Sequence, residues 1–128
     1  APVAAPARTL SDEGADALER RLAEAPFAPP SLTAADQAPA AYLAEAGRIV
    51  RAGKDLAFTA AAFEQARAAA VEIATAEGSV TLAQLRDRLG CSRRYAQALL
   101  EALDSHGITR RVGDERVLRR RGRDAGQP

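Results

Sequence analysis

Residues 92–116 constrain the fold of this chain more than any other segment. Ser92 is followed by Arg93 and Arg94 and then by a stripe of apolar residues at helical spacing, which ends at Gly107. Two short segments follow, joined by a glycine–aspartate pair typical of a turn. This pattern predicts an amphipathic helix with a serine cap, a glycine stop and a β-hairpin. A helix running directly into a hairpin is typical of a winged helix-turn-helix.

The segment before it supplies the other helices of such a domain. Apolar periodicity predicts one helix over about 60–76 and a second over 82–89, capped by Thr81. Ser79-Val80 between them is predicted to form a strand of a single rung, and Gly90-Cys91 a tight turn. The order of helix, strand, helix, turn, helix and hairpin is that of a winged helix-turn-helix.

The first half of the chain carries a weaker version of the same pattern. A helix is predicted from Ser11 to Pro26, a short one near 33–37, a better one over about 39–46, and a hairpin within 47–58. We therefore predict a mainly α fold (small α+β) of tandem winged helix-turn-helix domains, each with three helices and a β-hairpin wing. The predicted parts are a linker remnant (1–8), a first domain (9–58), a second domain (59–121) and a disordered tail (122–128).

Composition narrows the class of protein further. Alanine makes up much of the apolar fraction, and Trp and Met are absent, which favours small helical units over one large core. We interpret the chain as a fragment of a longer protein. No apolar run approaches the roughly 20 residues that span a bilayer, and no signal peptide is evident. The single cysteine, Cys91, fits a reducing compartment. We expect a cytoplasmic monomer that does not bind membranes.

The net charge of +1 conceals an uneven distribution. Residues 1–85 hold 7 basic and 11 acidic side chains, whereas residues 86–128 hold 11 basic and 6 acidic ones. Positive charge is therefore concentrated in the third that contains the predicted helix and wing, which indicates a nucleic-acid partner. The acidic balance of the first unit favours a role as a spacer or lever.

On a helical wheel, the basic first turn of the predicted helix differs from its last two turns, which carry Glu101 and Asp104 on the same polar face. Contact through the N-terminal tip keeps those carboxylates away from phosphates and uses the positive end of the helix dipole. Arginines of the wing would provide a second line of contact. The candidate nucleic-acid-binding residues are Ser92, Arg93, Arg94, Gln97, Arg110, Arg111 and Arg116.

Other interpretations remain open at this stage. The arginines could simply solvate a helix face and an edge strand. A DNA-binding winged-helix regulator would normally need a dimerisation element, and a protein-interaction module would need an exposed apolar surface. One Cys and one His (His106) cannot form a structural zinc site, and no catalytic carboxylate pair is evident. We therefore expect no enzyme and no cofactor in this fragment.

Several short motifs resemble the last winged-helix domain of the bacterial selenocysteine-specific elongation factor (SelB type). The resemblance is strong over about 59–120 and weaker over 9–58. One departure is Arg94, where that family usually has lysine. The positive charge is kept, but the planar guanidinium of arginine replaces the compact ammonium of lysine. The matching motifs are Leu85-Arg86-Asp87, Ser92-Arg93-Arg94-Tyr95, Leu99-Leu100-Glu101, Leu103-Asp104 and Thr109-Arg110-Arg111-Val112-Gly113-Asp114, followed by Arg116.

The resemblance implies a function in translation. It implies that the second domain binds the SECIS hairpin of selenoprotein mRNA, so that selenocysteinyl-tRNA is delivered to a UGA codon on the ribosome. GTP and Mg, and contacts with the tRNA and ribosome, would belong to an N-terminal part of the family that is absent here. Among the other matching residues, Tyr95 is assigned to the core, and Gly113 and Asp114 to the wing turn. End-on contact suits RNA, because a helix cannot enter the narrow major groove of an A-form stem.

Overall fold

The computed structural model describes residues 10–119, with the side chains of residues 13–119. The segments predicted as a linker (1–8) and as a disordered tail (122–128) lie outside the described residues. The chain divides into two compact units between Ala60 and Ala61, two residues from the predicted boundary. Each unit contains its own helices and its own antiparallel hairpin.

The first unit has two α-helices, one turn of 3-10 helix and one hairpin. The two predicted helices near 33–37 and 39–46 are a 3-10 turn that continues directly into an α-helix, because Pro39 falls in its first turn, where proline is tolerated. The elements are α1 (Leu10–Glu24), the 3-10 turn (Ala34–Asp36), α2 (Gln37–Glu45), β1 (Ile49–Ala52) and β2 (Leu56–Thr59).

The core of the first unit is built from one face of each of these elements. The apolar stripe of α1 packs with α2 and the hairpin, and the buried side chains are mostly leucine and alanine. Burial of one leucine side chain stabilises the folded state by about 1.5–3 kcal/mol. Because this core contains few side chains, the stability of the first unit depends strongly on each of them. They are Ala15, Leu18, Leu22, Leu32, Ala40, Leu43, Ile49 and Ala57.

Asp36 is a buried carboxylate that ties the 3-10 turn to α1. Its Oδ1 accepts a hydrogen bond from Arg21 Nη2 at 3.0 Å, and its Oδ2 accepts one from the backbone N–H of Thr33 at 2.8 Å. Burial alone would raise the pKa of Asp36, but the hydrogen bonds from Thr33 and Arg21 favour the charged form and hold its pKa below the ordinary value. The charged carboxylate therefore stabilises the first unit.

Replacing Asp36 with asparagine should destabilise the first unit by about 1.5–3 kcal/mol, the usual contribution of hydrogen bonds to a charged group, because the amide carries no charge. Because its folded pKa is lowered, the contribution of Asp36 is fully present above its unfolded pKa near 4 and is lost as pH falls through the folded value. Urea unfolding followed by NMR signals of α2 between pH 2.5 and 6 measures this. The parent and Asp36→Asn should converge in stability at the acid end; parallel curves would contradict the assignment.

The second unit has three helices and a three-stranded antiparallel sheet, which confirms the predicted fold class. The single predicted rung at Ser79-Val80 is a two-residue strand, and it pairs with the last strand of the sheet. The elements are α3 (Ala60–Glu77), β3 (Val80–Thr81), α4 (Leu82–Leu89), α5 (Arg93–Ser105), β4 (Thr109–Val112) and β5 (Glu115–Leu118), with strand order β3-β5-β4.

Local signals set the ends of α4 and so the start of α5. Thr81 and Gln84 form a reciprocal capping box, in which the Gln84 N–H donates to Thr81 Oγ1 at 3.2 Å. Gly90 ends α4 in the left-handed conformation, with φ of +68°, which a side chain rarely adopts. Leu85, Leu99 and Leu103 are fully buried between the helices and the sheet. Among residues 10–119, no helix combines the length and apolar character needed to cross a bilayer.

Candidate nucleic-acid interface

The N-terminal turn of α5 presents four of the predicted binding residues to solvent. Ser92, Arg93, Arg94 and Gln97 are all exposed, and we call this group the helix tip. Ser92 occupies the N-cap position with extended backbone angles, but its hydroxyl makes no capping hydrogen bond. The positive end of the α5 dipole lies at this turn. The helix tip can accept an anion such as phosphate.

The three long side chains of the helix tip differ in their surroundings. The Arg94 guanidinium lies 5.3 Å from the centroid of the Tyr95 ring, a cation–π arrangement that limits its mobility. Gln97 Nε2 donates to Glu101 Oε2 at 3.2 Å, so the Glu101 carboxylate lies one helical turn beyond Gln97, away from the N-terminus of α5. Arg93 has no hydrogen bond or ion pair to any of the side chains described here. The helix tip thus contains one arginine packed on an aromatic ring, Arg94, and one exposed to solvent, Arg93.

The wing, formed by β4 and β5, has two distinct faces. Thr109 pairs with Leu118, Arg110 with Val117 and Arg111 with Arg116. Side chains alternate between faces along a strand, so Thr109, Arg111 and Arg116 share one face, and Arg110 and Val117 share the other. Thr109 and Arg116 both bond to Asp104 of α5, which identifies their side as the inner face, turned towards α5. Arg110 lies on the outer face.

The structure places Arg116 inside the domain and not at its surface. Arg116 is only 7 % exposed, and its Nε donates to Asp104 Oδ2 at 3.1 Å while Nη2 lies 3.1 Å from the same oxygen. Asp104 Oδ1 accepts from the Thr109 hydroxyl at 2.6 Å. We call this group of three residues the helix–wing clamp. Arg116 therefore positions the wing, and it does not face a ligand as the sequence pattern suggested.

The same contacts correct the interpretation of the acidic end of α5. The helical wheel places Asp104 with Glu101 on a solvent-facing arc, yet Asp104 is turned into the wing and its charge is compensated by Arg116. Glu101 remains exposed. A helical wheel shows only the angular positions of residues on one helix. It therefore misses a strand that packs against the polar face, and this is why it wrongly placed Asp104 in solvent.

Most other arginines of the second unit are paired within the domain. Arg67 pairs with Glu64, Arg86 with Asp87 and Arg88 with Glu72. Arg111 Nε donates to the carbonyl of Gly113 at 2.9 Å, which holds it at the wing turn. Among residues 61–119, the guanidinium groups with no hydrogen bond or ion pair to another described residue are those of Arg93, Arg110 and Arg119. These three are the exposed cations best suited to an external anion.

No alternative chemistry is evident at this surface. Burial raises the pKa of the Cys91 thiol, which opposes the formation of a reactive thiolate at the start of α5. The described residues contain no group of three or more His, Cys, Asp or Glu side chains that could hold a metal ion.

Sequence reasoning missed the clamp residues Asp104 and Thr109. Alternation within the hairpin was the signal that could have separated Arg110 from Arg111.

Comparisons with known proteins agree with this architecture. Residues 72–118 match the family model of the elongation factor SelB winged helix. A solved mRNA-binding domain of elongation factor SelB from E. coli, in complex with SECIS RNA, is 28 % identical with a TM-score of 0.65. The match covers 84 % of this chain and 98 % of that domain. No curated protein matches the chain in a sequence search.

A second solved structure bears on the fold alone. A bacterial selenocysteine-specific elongation factor, EF-Sec, matches with 21 % identity and a TM-score of 0.67. The match covers 84 % of this chain and 18 % of EF-Sec. This chain is thus similar to nearly the whole of the SelB domain and to a small part of the EF-Sec chain.

Proposed function

We propose that this chain is the RNA-binding fragment of a selenocysteine-specific elongation factor, because residues 72–118 match the family model of the SelB winged helix. It binds a SECIS-type hairpin of a selenoprotein mRNA and thereby directs selenocysteine insertion at UGA. The observation that carries this proposal is the helix tip: exposed Arg93 and Arg94 at the N-terminus of α5, where the positive end of the helix dipole lies. Similarity to a domain bound to SECIS RNA supports RNA as the ligand.

The geometry suits the end of an RNA hairpin. An A-form stem offers phosphates and a narrow major groove, so a protein approaches it through backbone contacts and through unstacked bases in loops or bulges. Arg93 and Arg94 supply the backbone contacts at the tip, and Arg111 on the inner face of the wing supplies another. Arg110 lies on the outer face, so the predicted single line of wing contacts is divided between two faces.

The distribution of apolar surface favours RNA over a protein partner. Among the described side chains, the exposed large hydrophobic ones are Tyr42, in the first unit, and Val112, at the wing turn. Each unit thus has a single such side chain among those described, and one side chain does not make the contiguous patch that protein-interaction surfaces usually have.

The remaining assignments belong to the same proposal. The chain itself catalyses no reaction and holds no cofactor, and GTP and Mg bind in an N-terminal part of the full-length factor. Contacts with selenocysteinyl-tRNA and the ribosome are made through that part. The fragment acts as a cytoplasmic monomer, and the first unit serves as a spacer.

A binding titration at one salt concentration tests the proposal. The chain is titrated against a fluorescent SECIS-type hairpin, a scrambled hairpin of equal length, and duplex DNA. We expect the SECIS-type hairpin to bind at least tenfold more tightly than either control, because specific contacts add to the sequence-independent attraction. Equal affinity for the two hairpins would reduce the function to non-specific binding, and tighter binding to DNA would indicate a DNA-binding regulator.

A further inference from the structure

A second surface of the same unit has features of a nucleotide site and plays no part in the proposed hairpin contact. A groove of about 420 Å³, which we call the basal groove, lies at the base of the wing. Its volume falls within the usual range for small-molecule sites. Its lining combines apolar, cationic and imidazole side chains and includes no carboxylate: Arg67, Val71, His106, Ile108, Leu118 and Arg119.

An imidazole ring supplies a flat surface at this groove. His106 follows α5 directly, and its ring packs against Phe63 with the centroids 5.0 Å apart and the planes at 46°. Phe63 is buried whereas His106 is exposed, so the phenyl ring supports the imidazole from inside. Aromatic and imidazole rings held in this way are the platforms on which proteins stack unpaired bases.

Two of the unpaired guanidinium groups flank this platform. Arg119 lines the groove, and its backbone N–H bonds to the carbonyl of Ile108, which fixes it across the base of the wing. Arg110 lies diagonally across the hairpin from it on the outer face, a separation of about 7–8 Å between diagonal neighbours. Arg67 is less available, because it pairs with Glu64. The arginines therefore extend from the groove along the outer face.

The basal groove is well separated from the helix tip. Arg93 is the first and His106 the residue following the last of the 13 residues of α5, so about 20 Å of helix lies between them. Contact at one end of α5 therefore does not require contact at the other. The basal groove is therefore a surface distinct from the helix tip, and it can bind a different ligand.

We propose that the basal groove and the outer face of the wing form a second RNA site, which takes a single-stranded segment. One unstacked base lies on the His106 ring above the apolar floor of Val71 and Ile108, and the adjoining phosphates lie against Arg119 and Arg110. An acidic peptide would satisfy the arginines but leave the imidazole face without a stacking partner. The groove between α3 and α4 offers a contrast, because Glu72, Glu77 and Asp87 line it and would repel phosphate.

The single histidine of the chain makes a direct test simple. The whole chain is titrated with a single-stranded RNA hexamer, and the Hε1 signal of His106 is followed by NMR. Stacking should move this signal upfield in a saturable manner, because the proton enters the shielding region of a base. A signal that stays in place while the hexamer is in excess would overturn the proposal.

Paired variants separate specific contact from general attraction. Arg119→Ala should weaken hexamer binding by about tenfold or more, which is the loss of one charge-assisted contact. Arg20→Ala is the matched control: it removes the same charge from an exposed position on α1 of the first unit and should leave hexamer affinity within twofold. Equal effects of the two variants would show that only net charge matters and would refute the site.

A hairpin carrying a single-stranded extension distinguishes the source of the segment and separates this proposal from the preceding one. If the segment flanks the hairpin, the extension should raise affinity over a blunt hairpin, and Arg119→Ala should abolish that gain without changing blunt-hairpin affinity. If the segment belongs to another RNA, hexamer binding persists and the extension adds nothing. Failure of the blunt hairpin to bind refutes the proposed function, whereas failure of the hexamer and the extension refutes the basal groove.

Discussion

Replacing Arg93 and Arg94 together with alanine should lower the affinity for the SECIS-type hairpin by about a hundredfold or more. Each guanidinium-to-phosphate contact is a charge-assisted hydrogen bond worth about 1.5–3 kcal/mol, and both lie at the helix tip where the dipole adds to them. The slope of log K against log salt should also become shallower, by about 0.7–0.9 for each lost phosphate contact. Fluorescence anisotropy at four salt concentrations measures both quantities.

The matched control for this double variant is Arg86→Ala with Arg88→Ala. It removes the same charge from the same unit, but these arginines lie on α4 and are paired with Asp87 and Glu72. We expect its hairpin affinity to stay within about threefold of the parent, since only distant attraction is lost. If both double variants lose affinity equally, the unit attracts RNA through net charge and the helix tip has no special role.

Replacing Asp104 with alanine should destabilise the second unit by about 3 kcal/mol. The change leaves the buried Arg116 guanidinium without its carboxylate and removes the acceptor of the Thr109 hydroxyl, and breaking a buried ion pair typically costs about 3–5 kcal/mol. We expect the lower end of that range because the Asp104 side chain is 27 % exposed. Urea unfolding followed by NMR signals of β4 measures the loss, and Glu101→Ala, exposed on the same helix, should change it little.

The helix–wing clamp also makes a prediction about RNA binding. Arg116→Met keeps the length of the side chain and removes its charge, and because Arg116 touches no phosphate, the salt slope should stay that of the parent. Arg111→Ala removes an exposed cation from the same inner face and should make the slope shallower by about 0.7–0.9. A shallower slope for Arg116→Met, measured where the variant remains folded, would mean that Arg116 reaches the RNA after all.

The helices and hairpins were accessible to sequence reasoning because their signals are local. The capping pair Thr81 and Gln84, the left-handed Gly90 and the apolar stripe of α5 act within a few residues of where they lie. The boundaries of α4 were therefore predicted correctly. In the first unit the signals are weaker, and the predicted break between two helices is instead a continuous turn and helix around Pro39.

The binding surface was predictable only in part, for a related reason. The exposed positions of Arg93 and Arg94 follow from the periodicity of α5, since the opposite face must be buried. The positions of Arg110, Arg111 and Arg116 follow from strand register, which places neighbours along the chain on opposite faces. The sequence interpretation treated the wing as one basic cluster. It therefore combined the inner and outer faces and placed the buried Arg116 at the surface.

Local pattern alone thus determined that a helix with a basic first turn precedes a hairpin, because caps, glycine stops and periodicity depend on neighbouring residues. Only the packing of the wing against α5 decided which charges remain available. Arg116 meets Asp104 twelve residues away and is neutralised inside the domain, whereas Arg110 and Arg119 are left on the outer face. Charge pairing depends on distance in space, and the tertiary structure sets that distance.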